Sequence, residues 1–380
     1  MNKPMRIGVL GAGQLGQMLA LSGYPLGNRF AFFDTTGSPS ADIGTTLSDT
    51  SGVKLDEFLA QVDLVTYEFE HLPLALVQQV AQEKALYPGV EALRVCQNRE
   101  AEKTLFDQLS IPVADYRLVS SADELAQACT ELMRAGAPAV VAKSITEGYD
   151  GKGQAVLRDP EQAEEAWAQI GHARLIVEAF VSFVREVSII AVRDQQGEVV
   201  FYPLAENNHV DGILRYSLAP LPDLSDAVQQ QAESYIHKLL DALEYVGVLT
   251  LELFQQADGT LLANEMAPRV HNSGHWTQDG AISSQFENHL RAIQGLPLGS
   301  TQAIAPTCMI NIIGCMGDVA AILAVEGSHL HLYGKSERAG RKLGHINLVA
   351  ADIDTLLQRV NQVAALLPDA PPPAFSFVAD

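Results

Sequence analysis

Residues Arg6–Leu10 form a short apolar run that ends in Gly11, Gly13 and Gly16 and opens a helical pattern over Gln14–Ser22. This constrains the fold more than any other stretch. A strand that turns through glycines into a helix must return by a crossover, and the pattern recurs. Phe30–Asp34 and Val62–Tyr67 are strand-like, and another helix opens near Pro73. Strands alternating with helices predict a parallel, doubly wound sheet.

Beyond Leu109–Tyr116, a stretch with a proline and little periodicity, the rhythm changes, and a boundary is expected within Arg99–Asp115. Pro138–Lys143, Gln154–Arg158, Leu175–Phe180, Glu186–Arg193 and Val199–Leu204 read as strands, with helices at Ser121–Arg134 and Pro160–Gln169. This is an α+β region with antiparallel pieces. In Ser225–Tyr245, Val228, Ala232, Tyr235, Leu239 and Leu243 mark one face of a helix capped by Ser225, a core stripe without chemistry. A β-rich segment after Pro297 ends in a helix at Thr355–Leu366 and a proline-rich tail, Pro368–Pro373.

Composition removes several functions. The 380 residues include 46 Asp or Glu against 25 Lys or Arg, a net charge of −21. A nucleic-acid binder would have to build a basic face against that field. No apolar run approaches the ~20 residues of a membrane span. Cys96, Cys129, Cys308 and Cys315 show no C-x-x-C spacing, which favours buried free thiols in a reducing, cytoplasmic setting.

Gly11, Gly13 and Gly16, with Asp34 ending the next strand, have the spacing of a dinucleotide fingerprint. The same turn offers amides to any phosphate. A second site comes from VGVLTLELF and TLLANEMAP around Asp258-Gly259. A two-residue turn there pairs residues whose numbers sum to 517, which sets Glu252 opposite Glu265. Facing carboxylates repel unless neutralised, and magnesium shared with phosphates would do this. Ala263, Ala267 and Arg269 are expected on their face, with Leu249, Leu251 and Leu253 on the other.

Lys143 ends a strand and leads into SITEGYDGKGQ, whose glycines allow a backbone to close over phosphate oxygens. It is not a Walker loop, because G-x-x-x-x-G-K-[ST] is absent. Glu178 and Glu186 lie in apolar surroundings and suit adenosine amine and hydroxyl groups. In RVHNSGHWTQ, His271 and His275 have zinc-like spacing, but Asn272 and Gly274 break the zincin pattern. Arg269 as an anion fork is the stronger reading. Lys335, Arg338, Arg341 and Lys342 reverse the local sign near the end and suggest a second anion contact, so a locally cationic cleft is expected.

The motifs GAGQLGQM, YEFEH, GYDGKGQ, NHVDGIL, NEMAPRVHNSGHWT and YGKSERAGRKLGH together closely resemble the N5-carboxyaminoimidazole ribonucleotide synthetase family, from about Arg6 to about Asn347. That resemblance implies an α/β and α+β protein: a Rossmann-like pre-ATP-grasp domain (1–98), a two-lobed ATP-grasp nucleotide clamp (99–295, lid lobe about 116–180) and a small β-rich C-terminal subdomain (296–380). It implies a ligase of purine synthesis that takes ATP, bicarbonate and 5-aminoimidazole ribonucleotide through carboxyphosphate, as a homodimer. By the same resemblance, Arg99 and Lys143 contact ATP phosphates under the loop Gly148, Tyr149, Asp150, Gly151, Lys152, Gly153 and Gln154. Glu178, Ala179, Phe180 and Val181 hold adenine, Glu186 the ribose, and His209 and Asn264 further parts of the nucleotide. Glu252 and Glu265 take two magnesium ions, with manganese as a substitute. Tyr149, Asp150, Arg269, His271, Asn272 and Lys342 fall near bicarbonate and the aminoimidazole, and Gln14, Glu70, Lys335 and Arg341 near its ribose phosphate. Asp150 and His271 remain alternatives for handling a proton. The rivals are an NAD(P)-dependent oxidoreductase using the glycine turn, a formate-using ATP-grasp purine enzyme, and a nucleotide sensor without turnover.

Overall fold

The computed structural model describes residues 4–51, 53–146, 153–171 and 174–377. Its first part is a five-stranded parallel sheet in the order 45–48, 29–34, 6–10, 64–67, 85–86. Arg6–Leu10 lies at the centre, and a strand covered on both faces reads as an unbroken apolar run. Helix Gln14–Gly23 packs on helix Gln285–Ile293, so this domain docks directly on the next. His289 fastens the joint: its Nδ1 accepts from Val248 N at 3.1 Å, which leaves Nε2 to donate to Thr66 Oγ1 at 2.9 Å.

The stretch expected to hold a domain boundary contains a helix, Arg99–Gln108, capped by the Asn98 side chain. Its buried residues are Glu102, Lys103 and Phe106. A helix that buries charge shows no apolar stripe, so periodicity could not reveal it. After it comes an antiparallel sheet ordered 116–119, 175–179, 140–144, 154–157, covered by helices Ala122–Arg134 and Ala163–Ile170.

The remaining strands form one nine-stranded sheet. Strands Thr307–Ile313, Ser328–Leu332 and Lys342–Val349 extend the sheet that begins with Arg185–Arg193, Ala205–Val210, Ile213–Ala219, Gly247–Gln255 and Leu261–Ala267. Helices Asp226–Ala242 and Ile353–Ala364 bury the face that carries Val187, Leu251, Leu253 and Ile310. Ser225 caps the first of these helices through Val228 N, and the expected stripe faces the core. The proline-rich tail folds back: Phe375 is buried, and Ser376 N and Oγ donate to Glu206 at 2.7 and 2.8 Å. All four cysteines are free, Cys129 and Cys308 buried but Cys96 and Cys315 only half-buried. Among the described residues no helix is long and apolar enough to cross a membrane.

Candidate active site

The face of the large sheet away from Leu251 and Leu253 carries the polar residues. Strand alternation places Glu186 and Ser188 on it, and the register sets Ser188 opposite Glu252 and Glu252 opposite Glu265. The carboxylate pair forms as expected, but the route differs. Gln256 N donates to Thr260 O, so the loop is Ala257–Gly259 with Gly259 at φ +88, and pairs near it sum to 516, not 517. A bulge at Asn264 restores the lost residue before Glu265 is reached. Ala263 is therefore turned away from the carboxylates and packs with Leu251 and Leu253, while Ala267 lines the cleft.

Each carboxylate has a cation or donor of the chain beside it. Arg99 Nη1 lies 2.9 Å from Glu265 Oε2, and His271 Nε2 lies 3.1 Å from Glu252 Oε1. Burial would raise the Glu252 carboxyl, but the His271 hydrogen bond and nearby positive charge hold it well below the usual range. Two facing carboxylates supply hard oxygen donors, and among the described residues no group of three or more His, Cys, Asp or Glu could hold a metal. The pair thus fits magnesium that takes its other ligands from phosphate and water.

Helix Arg99–Gln108 organises the part of the site that carries Lys143 and Glu178. Glu178 does not point to a nucleotide amine: its carboxylate bridges Lys143 Nζ at 2.5 Å and Lys103 Nζ at 3.1 Å. Burial would raise Glu178, yet the two lysines bring it down to about 2. Lys103 also donates to Asn264 O at 2.8 Å, and Glu102 accepts from Met266 N at 2.7 Å. This helix therefore holds both sides of the bulge beside Glu265. Neither Glu102 nor Lys103 was foreseen, because buried charge carries no motif.

At Glu186, the residue expected to meet a ribose, His209 Nδ1 stands 3.0 Å from Glu186 Oε2. Burial would lower His209, but the Glu186 hydrogen bond and charge raise it. Phe180 and Phe183 line an apolar part of the cavity, and Phe183 stacks on Phe254 at 4.9 Å. Ala179 N and Phe180 N are engaged by Asp115 O and Ala139 O. Val181, half-buried, is not in the cavity wall.

The glycine turn has its own anion. Gly13 N and Gly16 N both donate to the Glu68 carboxylate, the latter at 2.7 Å, and a Cβ at Gly11 or Gly13 would strike that side chain. Asp34 accepts from Thr36 N, Thr36 Oγ1 and Ser48 Oγ at 2.9, 2.7 and 3.1 Å. The two ends of the dinucleotide fingerprint are thus satisfied within the chain. Glu68, inside the YEFEH motif, was not singled out from sequence.

Arg269 forms a two-pronged ion pair with Glu70 from the N-terminal domain. Burial would raise Glu70, but Arg269 takes it down to about 2. Glu70 therefore holds the arginine rather than meeting a phosphate. His275 is buried against Phe286 and His345, with Nδ1 3.2 Å from Gln285 Nε2, a packing role. Lys335 Nζ contacts Gln14 Oε1 at 2.5 Å, and Arg341 donates to Ser336 O and Oγ at 3.1 and 2.9 Å.

One cavity of about 860 Å³ collects these groups from all three parts of the chain, from Gln14 and Glu70 through Arg99, Lys143, Gln154, Asn264 and Asn272 to Lys342. Lys335, Arg341, Gly153 and Glu178 are not among the residues that line it, and Gly148, Tyr149, Asp150, Gly151 and Lys152 lie outside the described residues. The cleft is not locally cationic among the described residues. Asp34, Glu68, Glu70, Glu102, Glu186, Glu252 and Glu265 line it, against Arg99, Lys143, Arg269 and Lys342. Such a wall accepts a triphosphate only together with cations.

Comparison with known proteins agrees with this architecture. Residues 4–97 match the ribonucleotide synthetase preATP-grasp domain, 104–286 the ATP-grasp domain, and 307–359 the phosphoribosylaminoimidazole carboxylase C-terminal domain. N5-carboxyaminoimidazole ribonucleotide synthase of Pseudomonas aeruginosa is 47% identical over 366 residues, 96% of this chain and 99% of that one. The chain belongs to the N5-carboxyaminoimidazole ribonucleotide synthase family. A crystal structure of the synthetase from Thermus thermophilus aligns with TM-score 0.90 and 47% identity, covering 96% of this chain and 99% of that one. The Aspergillus clavatus synthase, solved with ADP and 5-aminoimidazole ribonucleotide, aligns with TM-score 0.86 and 30% identity over 96% and 98%. As a member of this family the chain is an ATP-grasp ligase.

Proposed function

We propose that this chain uses ATP and bicarbonate to carboxylate the exocyclic amine of 5-aminoimidazole ribonucleotide, in purine synthesis in the cytoplasm and as a homodimer. The observation that carries this reading is the single cavity wall that holds the Glu252/Glu265 pair, Lys143 and Arg99 together with Arg269, His271 and Asn272. Phosphate activation and a small-anion site then lie in one cavity.

A bicarbonate oxygen attacks the γ-phosphorus, the bond to the β,γ-bridging oxygen breaks, and ADP leaves with that electron pair. Lys143 and Arg99 lie where they can offset charge on the phosphoryl oxygens. Magnesium held by Glu252 and Glu265 would supply the remaining charge compensation when bound. Carboxyphosphate hydrolyses readily, so the site must exclude water while it forms. The amine nitrogen then bonds to the carboxyl carbon, phosphate departs, and the amine gives up one proton. Arg269, fixed by Glu70, presents its guanidinium to the anion. Gln14 and Lys342, facing the cavity from opposite ends of the chain, suit the ribose phosphate.

The test measures ADP release with aminoimidazole ribonucleotide, glycinamide ribonucleotide or no acceptor, each with bicarbonate or with formate. Bicarbonate with aminoimidazole ribonucleotide should stimulate release above every other pair. Equal release in all arms, or stimulation by formate, overturns the assignment. Titration with NADH should give no micromolar signal, because Glu68 holds the turn amides.

A further inference from the structure

Behind the carboxylate pair runs a chain of buried polar side chains that the reaction itself does not call on. Ser217 Oγ donates to Asn207 Oδ1 at 2.7 Å, and Asn207 Nδ2 donates to Ser188 Oγ at 2.9 Å. Ser188 Oγ donates to Ser273 Oγ at 2.8 Å, and Ser273 Oγ lies 2.9 Å from His271 Nδ1. His271 Nε2 ends the chain beside Glu252 Oε1 at 3.1 Å. Ser188, Ser217 and Ser273 are at most 1% exposed and Asn207 is 5% exposed, so no solvent can substitute for a missing partner.

The direction of these bonds is determined. Ser273 N also approaches His271 Nδ1, at 3.3 Å, and a backbone N–H can only donate. Nδ1 is therefore an acceptor, and the ring proton sits on Nε2. Each hydroxyl upstream then donates toward His271 and accepts from the group before it, with no conflict as far back as Ser217.

We propose that Ser273 and Ser188 are positioning residues that hold His271 in the Nε2–H tautomer, so that His271 donates to the Glu252 carboxylate. A ring held this way has no open acceptor nitrogen. His271 then acts as a hydrogen-bond donor that steadies Glu252, and the proton of the substrate amine goes to another group. The consequence for catalysis rests on the carboxylation reading, whereas the tautomer does not.

The experiment records long-range ¹H–¹⁵N correlations of the full-length protein with ¹⁵N-labelled histidine at pH 8 without ligands, with His271→Gln to assign the signal. An Nε2–H pattern for His271 is expected, and an Nδ1–H pattern or an averaged one overturns the proposal whatever the activity proves to be. Ser273→Ala and Ser188→Ala should shift His271 toward a mixture and lower kcat roughly tenfold, the scale of lost outer partners, with KM for ATP within about twofold. Ser188→Thr, which keeps the hydroxyl, should restore both. Variants with an unchanged spectrum and unchanged kcat overturn the positioning role. If Ser273→Ala fails to fold, the wild-type spectrum and the Ser188 pair still decide.

Discussion

At the glycine turn the amides of Gly13 and Gly16 meet a carboxylate of the same chain, Glu68, which is 6% exposed. At the hairpin Gly247–Ala267 two carboxylates meet Arg99 and His271, and the Glu265 side chain is 42% exposed. Both regions carry the charge chemistry of a phosphate site. The turn is closed, because its amides are already taken by an anion of the chain. The hairpin is open, because its partners lie on the cavity wall and can exchange for a metal and phosphate oxygens. A phosphate-binding spacing in sequence is thus informative only once the occupant of its donors is known.

The sharpest way to break the comparison is to disarm the open region. Glu265→Gln keeps the shape and one acceptor but halves the carboxylate pair. ADP release should fall at least about a hundredfold while the thermal midpoint stays within a few degrees. Near-normal turnover would remove the metal role of the hairpin, and with it the contrast.

Glu70→Gln tests whether a charge pair joining the two regions is structural. Arg269 would remain as a charge without its partner, which costs about 3 kcal/mol. Glu70 falls to about 2 in the folded protein. Its contribution is therefore complete above the unfolded value near 4.5 and is lost as pH drops toward 2. Urea denaturation should show a loss of stability in that window for the wild type and a shallower one for the variant. Parallel curves would contradict the pairing.

How far the sequence could be read follows the same divide. The alternation of strands and helices, the Glu252/Glu265 pairing and the motif residues of the cavity were all legible, because periodicity and turn chemistry act locally. The pairing emerged through two cancelling departures, a three-residue loop and the bulge at Asn264. Helix Arg99–Gln108 was not legible, since Glu102 and Lys103 face inward and erase the apolar period. Glu68 and Glu178 were illegible as internal partners for another reason. Which carboxylate meets which amide or lysine is a tertiary fact, and no spacing rule encodes it.

Glu102 offers a smaller test, within the helix that supports the open region. Burial, opposed by Lys103, raises its carboxyl to about 7. The folded protein then holds that proton more tightly than the unfolded chain, so stability declines from pH 4.5 to about 7 and is level above. Glu102→Gln keeps an oxygen for Met266 N but does not titrate. It should be more stable than the wild type at pH 8, on the order of 1–2 kcal/mol, and equal to it near pH 5. A destabilised variant at pH 8 would show that the charge beside Lys103 is needed.

The smallest effect belongs to His209, which lines the cavity beside Glu186. Burial lowers its basicity, but the hydrogen bond and charge of Glu186 at 3.0 Å more than reverse this, so its folded value is raised. A raised histidine contributes stability that is complete below the unfolded value near 6.5 and disappears as pH rises through the folded one. His209→Gln has no such term to lose. As pH rises through neutrality the wild type should lose stability relative to the variant. ATP should shrink the difference, because a ribose hydroxyl on Glu186 competes for the same carboxylate. If the difference is unaffected by ATP, Glu186 is a fixed partner of His209, and this corner of the cavity belongs with the closed glycine turn.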